Sequence, residues 1–70
     1  MKLTLNGQNE TLENETLTIE ELLKIKDVKM PEMVTVEHNG EILERTSFAI
    51  TSVKEGDTLE FLYFMGGGSH

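Results

Sequence analysis

Cysteine is absent, which excludes a disulfide framework, a thiolate zinc site and a cysteine nucleophile. A small secreted domain without such staples would be unusual. Positive charge is scarce: 6 Lys and Arg residues stand against 13 Asp and Glu, a net charge of −7. A phosphate-binding surface is therefore disfavoured, and with 6% aromatic residues so is a stacking platform for single-stranded nucleic acid. No long apolar run opens the chain. Met1-Lys2-Leu3-Thr4-Leu5-Asn6 offers neither the core of a signal peptide nor a membrane span. At 70 residues there is room for one small domain, burying only ~60% of the surface its unfolded chain exposes. The expectation is an acidic, soluble, cytoplasmic domain, monomeric when free, that binds neither nucleic acid nor membrane. Partners steered by charge should present basic surfaces.

What is present is strongly patterned. Lys2-Leu3-Thr4-Leu5 alternates with the period of a half-buried strand, and Asn6-Gly7 supplies the two residues that best tolerate a type I′ hairpin turn. The return, Gln8 to Leu12, is polar and should expose a face. Thr18 and Glu21 have the spacing of a capping box, and Leu17 with Leu22 that of a hydrophobic staple. Glu20 and Glu21 suit the positive end of the helix dipole and Lys24 and Lys26 the negative end. Ile19, Leu22, Leu23 and Ile25 form the expected buried side. The helix should stop near Lys26 or Asp27, ahead of Met30-Pro31. Met33 to His38 is a β-branched, alternating strand, Asn39-Gly40 a second hairpin turn, and Glu41-Ile42-Leu43 a short return. Residues 44–53 lack a clean period and read as a surface connection with Phe48, Ile50 and Val53 as plugs. Glu55-Gly56-Asp57 is a tight turn, and Thr58 to Phe64 the last strand.

The order is hairpin, helix, hairpin, strand. One helix can cover one face of such a sheet, giving a two-layer α+β domain. The first and last strands carry the best alternation and should be central, adjacent and parallel. This is the β-grasp layout, a mixed sheet of four to five strands with one main helix across it. The domain should span 1–65, followed by a flexible glycine-rich tail over 66–70.

A conventional active site is hard to assemble. His38 beside a turn and His70 in the tail read as solvated. Glu10, Glu13, Glu15, Glu20 and Glu21 form a loose acidic run that could bind a cation or a basic partner, and reads first as solvated surface with favourable helix-dipole placement. Ser47 and Ser52 have no His at hand to act as base. The expectation is no catalytic residue, no metal site and no permanently bound cofactor.

The C-terminus differs. Gly66-Gly67-Gly68 adds nothing to a fold, because glycine loses the most conformational entropy on ordering. It does let an extended chain enter a channel too narrow for side chains, and a nucleotide-activating enzyme could convert its terminal carboxylate to an acyl-adenylate. Gly-Gly-Gly-Ser-His also has the composition of an appended linker leading into a histidine tag, and residue types alone leave both readings standing. In the last strand, Leu59, Phe61 and Tyr63 should face the helix. Glu60, Leu62 and Phe64 should face away, with Leu62, Phe64 and Met65 forming a partner surface beside the tail; the opposing reading places Leu62 and Phe64 under the 44–53 segment as core.

These residues together resemble the thiamine-biosynthesis sulfur-carrier (ThiS) family of ubiquitin-like proteins. The resemblance rests on Lys-Leu-Thr-Leu-Asn-Gly at 2–7, Thr-Ile-Glu-Glu-Leu-Leu at 18–23, Val34 to Leu43, Val53 to Phe61, and above all Phe64-Met65-Gly66-Gly67-Gly68. It implies that a ThiF-like enzyme adenylates the terminal glycine with ATP, at Gly67 or Gly68, once Gly66 and Gly67 are threaded into its channel. A desulfurase route then supplies sulfur for a thiocarboxylate, and a ThiG-like thiazole synthase receives it. The carrier is a protein co-substrate and not an enzyme. The family ends on glycine, whereas Ser69-His70 follow Gly68 here. They are either appended residues or an extension that a protease removes. Other readings are a carrier for molybdopterin or another sulfur pathway, a ubiquitin-like modifier, and a plain β-grasp interaction module.

Overall fold

The computed structural model describes residues 1–63. Strands β1 (Lys2–Leu5) and β2 (Gln8–Thr11) form the first hairpin, and a short β3 (Leu17–Thr18) runs into helix α1 (Ile19–Ile25). β4 (Val34–His38) and β5 (Glu41–Leu43) form the second hairpin. A two-residue β6 (Ser52–Val53) precedes β7 (Thr58–Tyr63). The five long strands make one mixed sheet in the order β2-β1-β7-β4-β5. β1 and β7 are adjacent and parallel, with Leu5 beside Leu59, and β7 pairs antiparallel with β4 along its length. The expected β-grasp architecture is therefore the observed one.

Both Asn-Gly turns place two consecutive residues at positive φ, 53° and 80° at Asn6-Gly7 and 53° and 88° at Asn39-Gly40. That is the type I′ geometry whose twist suits a tight hairpin. The asparagines do more than tolerate φ. Asn6 Oδ1 accepts from the Phe61 amide at 2.8 Å, and Asn39 Oδ1 accepts from the Thr58 amide at 2.8 Å. Each turn thus holds β7 from one side, satisfying amides that would otherwise lack a partner.

The capping box forms: the Glu21 amide donates to Thr18 Oγ1 at 3.1 Å, and the Thr18 amide donates to Glu21 Oε1 at 2.9 Å. Leu17 and Leu22, the expected staple pair, are both buried. The helix stop is a Schellman motif with Asp27 in the left-handed conformation at φ 58°. The Asp27 amide donates to the Lys24 carbonyl at 3.1 Å and the Val28 amide to the Leu23 carbonyl at 3.0 Å. Asp27 is unfavourable there twice over, through its Cβ and through its charge at the negative end of the dipole. Its ion pair with Lys29 is fully in water, with side chains 77% and 81% exposed, and offsets little. Asp27→Gly should therefore stabilise the fold by about 1 kcal/mol. Urea titration reads this as a higher midpoint at unchanged slope, and an unchanged or lower midpoint would show that the strain lies elsewhere.

Three expectations need correction. Ile25 is 44% exposed and not part of the buried side. Ile19, Leu22 and Leu23 define the apolar stripe, and Ile25 sits roughly 110° around the helix from its centre. Lys26 lies on the stripe instead, partly buried and 3.1 Å from Glu10. Ile50 is 80% exposed, because the chain turns outward where the Ile50 and Thr51 amides both donate to the Ser47 carbonyl. Phe48 and Val53 are buried as expected. Finally, residues 44–53 are not simply a surface connection. Arg45–Ser47 forms a 3-10 turn, and β6 pairs antiparallel with β3, Val53 opposite Leu17. Carbonyls of Thr51 and Phe48 accept from the Ile19 and Glu20 amides at the start of α1, so the segment helps to anchor the helix.

The core lies between α1 and the sheet. Leu3, Leu5, Val34, Val36, Leu59 and Phe61 from the sheet meet Ile19, Leu22 and Leu23 from the helix. No polar or charged side chain is buried among the described residues.

Candidate functional site

The strand that leads to the glycine run is the middle strand of the sheet. Every second residue of β7 follows the core: Leu59 and Phe61 are buried, while Thr58 and Glu60 are exposed. Leu62, expected on the face away from the helix, is half-buried opposite Thr35. Tyr63 was expected to face the helix but is 51% exposed. It pairs with Val34, the first residue of β4, at the margin of the sheet where the core ends. Phe64, Met65, Gly66, Gly67 and Gly68 lie outside the described residues.

The other end of β7 is tied down by a network that the sequence did not suggest. His38 was expected to be solvated, but its side chain is 18% exposed and its Nε2 donates to Asp57 Oδ2 at 2.6 Å. Asp57 is 12% exposed, accepts from the Lys54 amide at 2.8 Å and accepts from Asn39 Nδ2 at 3.2 Å. A single carboxylate thus joins the second hairpin turn, the turn before β7 and the end of β4. The missed signal was the register: His38 lies opposite Leu59, which places Asp57 next to it. Burial pushes the Asp57 carboxyl up. The hydrogen bonds from His38, the Lys54 amide and Asn39, together with the His38 charge, outweigh that and hold it below its ordinary 3.8.

The sign of the pH effect follows. A carboxyl depressed in the folded state stabilises fully above its unfolded value, and this contribution is lost as pH falls through the folded value. Stability should therefore decline as the pH drops below 3.8, and Asp57→Asn should flatten that decline while lowering stability at neutral pH. Thermal melts between neutral pH and pH 2 check this, and an identical acid slope in the variant would assign the decline to other carboxyls.

Among the described residues no three His, Asp or Glu side chains come together to hold a metal ion. Glu10 is paired with Lys26, and Glu21 is engaged in the capping box. A groove of about 310 Å³ lies between α1 and the segments around Pro31 and Phe48. Its floor is Leu23, Val28 and Phe48, and its rim balances Glu20 and Glu32 against Lys24 and Arg45. No helix among the described residues is long and apolar enough to cross a membrane. Among the described residues His38 and Asp57 are paired with each other, Glu10 with Lys26, and Glu21 with the helix start. The fold offers a rigid central strand, fixed on both sides by asparagine turns, that leads into a glycine run.

A model of the ThiS family matches residues 3–68. Two solved structures of a thiamine biosynthesis protein (ThiS) from Geobacter metallireducens are similar to the chain. The crystal structure is 55% identical, covers 97% of this chain and 100% of that one, and superposes with a TM-score of 0.89. The solution structure is 54% identical, covers 100% of this chain and 91% of that one, with a TM-score of 0.82. Two curated relatives are named thiazole synthase: one from Paramagnetospirillum magneticum, 41% identical over 69 residues, and one from Magnetococcus marinus, 37% identical over 70. The matches take in 99% and 100% of this chain but 21% of each relative, so the chain spans about a fifth of their length.

Proposed function

Because this chain belongs to the ThiS family, we propose that it is a sulfur carrier of thiamine biosynthesis. The carboxylate of its terminal glycine, Gly67 or Gly68, attacks the α-phosphorus of ATP on a ThiF-like enzyme. Pyrophosphate leaves and an acyl-adenylate remains. A sulfur nucleophile, delivered by a desulfurase route, then attacks the acyl carbon and expels AMP. With hydrosulfide as the nucleophile the product is the thiocarboxylate directly; with a persulfide it is an acyl disulfide, from which a thiol reductant releases the thiocarboxylate by supplying two electrons. A ThiG-like thiazole synthase takes the sulfur for ring formation.

The observation that carries this reading is the family match, which includes the whole glycine run. The two relatives named thiazole synthase support the link to thiazole formation, since a domain like this one makes up about a fifth of each. The chemistry needs no side chain from the carrier, and the chain has no cysteine to offer one. Its task is to present a narrow tail from a rigid strand, and the partner enzymes supply nucleotide, sulfur and catalytic groups.

ATP–pyrophosphate exchange tests the first step. Chains ending at Gly67 or Gly68 are mixed with the adenylating enzyme of the same organism. Exchange that depends on the added chain is expected for at least one of them. Absence of exchange with both would overturn the carrier reading and leave a β-grasp interaction module.

A further inference from the structure

The two Asn-Gly turns grip β7 in the same manner but not with the same strength. Asn6 donates its backbone amide to the Leu59 carbonyl at 2.9 Å, and its Oδ1 accepts from the Phe61 amide at 2.8 Å. Asn39 donates its backbone amide to the Thr58 carbonyl at 2.7 Å, and its Oδ1 accepts from the Thr58 amide at 2.8 Å. Asn39 makes a further bond, from Nδ2 to Asp57 Oδ1 at 3.2 Å. Asp57 is in turn held by His38 and by the Lys54 amide. Asn6 Nδ2 donates to no acceptor among the described residues. Both asparagines and the glycines after them are exposed to water.

We propose that Asn6 is a site of spontaneous deamidation in this protein, and that the Asp57 network shields Asn39 from the same reaction. An Asn-Gly pair deamidates readily, since glycine puts no side chain beside the amide nitrogen that attacks. At the first turn the Gly7 nitrogen bonds to Asn6 Cγ and gives up its proton. The bond from Cγ to Nδ2 breaks, and ammonia leaves with that proton. Water then opens the cyclic imide at one carbonyl or the other, giving aspartate or isoaspartate. No reactant other than water is needed. Attack on Cγ requires the side chain turned back along its own chain, whereas both side chains are held across to β7. The rate therefore follows local opening of the turn. Opening at Asn39 breaks one charge-assisted hydrogen bond more than at Asn6, enough for about a tenfold difference in rate.

The products differ in consequence as well. Aspartate at position 39 would set a second carboxylate against Asp57, where an amide donor stood. Isoaspartate at position 6 adds a backbone methylene to a tight hairpin turn and withdraws the acceptor from the Phe61 amide. Phe61 is a core residue of the strand that leads to the glycine run. Modification at Asn6 thus loosens β7 on the side where it meets β1.

Peptide mapping by mass spectrometry, with fragmentation that separates isoaspartate from aspartate, follows both sites in the full chain during incubation at mildly alkaline pH. The mass gain of an amide-to-acid exchange should accumulate about tenfold faster in the peptide containing Asn6 than in the one containing Asn39. In guanidinium chloride the two sites should react at similar rates, because the difference is set by the fold. Asp57→Ala, checked by thermal melts to be folded, should bring the Asn39 rate up to that of Asn6. The isoaspartate form, separated by ion exchange, should melt below the parent chain. The comparison of folded and denatured parent chain stands even where Asp57→Ala fails to fold. Equal rates at the two sites in the folded parent, or faster reaction at Asn39, would overturn the proposal. So would a tenfold preference for Asn6 that persists in guanidinium chloride, or an Asn39 rate unmoved in folded Asp57→Ala.

Discussion

Leu22→Ala is expected to destabilise the fold by about 2–5 kcal/mol. Leu22 has no exposed surface and projects from the middle of the only α-helix among the described residues onto the sheet. It also sits in the first turn, where it meets Leu17 in the buried cluster at the point where β3 becomes helix. Truncation removes transfer energy and leaves a cavity beneath a seven-residue helix whose other buried side chains are Ile19 and Leu23. A domain of this size has only about 5–10 kcal/mol of total stability, so the variant should lose a large part of it. Urea denaturation of the two proteins measures the difference. A loss under about 0.5 kcal/mol, the range of surface substitutions, would show that the helix does not hold this face in solution.

Gly67→Ala, in a chain ending at Gly68, is expected to slow adenylation by on the order of 10²-fold and to leave the melting curve unchanged. On the proposed threading of the tail, the added methyl group has to pass a channel shaped for glycine. A displacement of the reacting carboxylate by about 1 Å is enough for a loss of that size. The melting curve should not move, because the buried core among the described residues ends at Phe61, well before Gly67. Single-turnover acyl-adenylate formation, followed with labelled ATP, separates this effect from weaker docking. Turnover equal to that of the glycine form would mean that the tail is not threaded through a tight channel.

The elements that were legible in the sequence are those whose signals are local. Asn6-Gly7, Asn39-Gly40 and the Thr18–Glu21 box each fix backbone geometry within four residues, and each forms as expected. The strand alternation at Leu3 and Leu5, and at Leu59 and Phe61, placed β1 and β7 inside the sheet. What escaped depends on distant partners. Leu17-Thr18 and Ser52-Val53 are too short to read as strands and exist because they pair with each other. His38 and Asp57 are 19 residues apart and meet only once β4 and β7 are in register. Asp27 looked like an ordinary helix end, and its left-handed conformation is set by the two amides that close the Schellman motif. The glycine run stood out by composition alone, and residue types there fit both passage through a narrow space and an appended linker; it lies outside the described residues.

The central claim is that the terminal glycine carries sulfur, and intact-mass analysis tests it most directly. The chain ending at Gly68, and in parallel the one ending at Gly67, is incubated with the adenylating enzyme, ATP, a desulfurase, cysteine and a thiol reductant, which supplies the two electrons that turn persulfide sulfur into hydrosulfide. The account predicts a mass gain equal to the replacement of one oxygen by one sulfur. Fragmentation should place that change on the C-terminal glycine, and omission of ATP should abolish it. An unchanged mass for both forms, or sulfur found on a side chain instead of the terminal carboxyl, would contradict it.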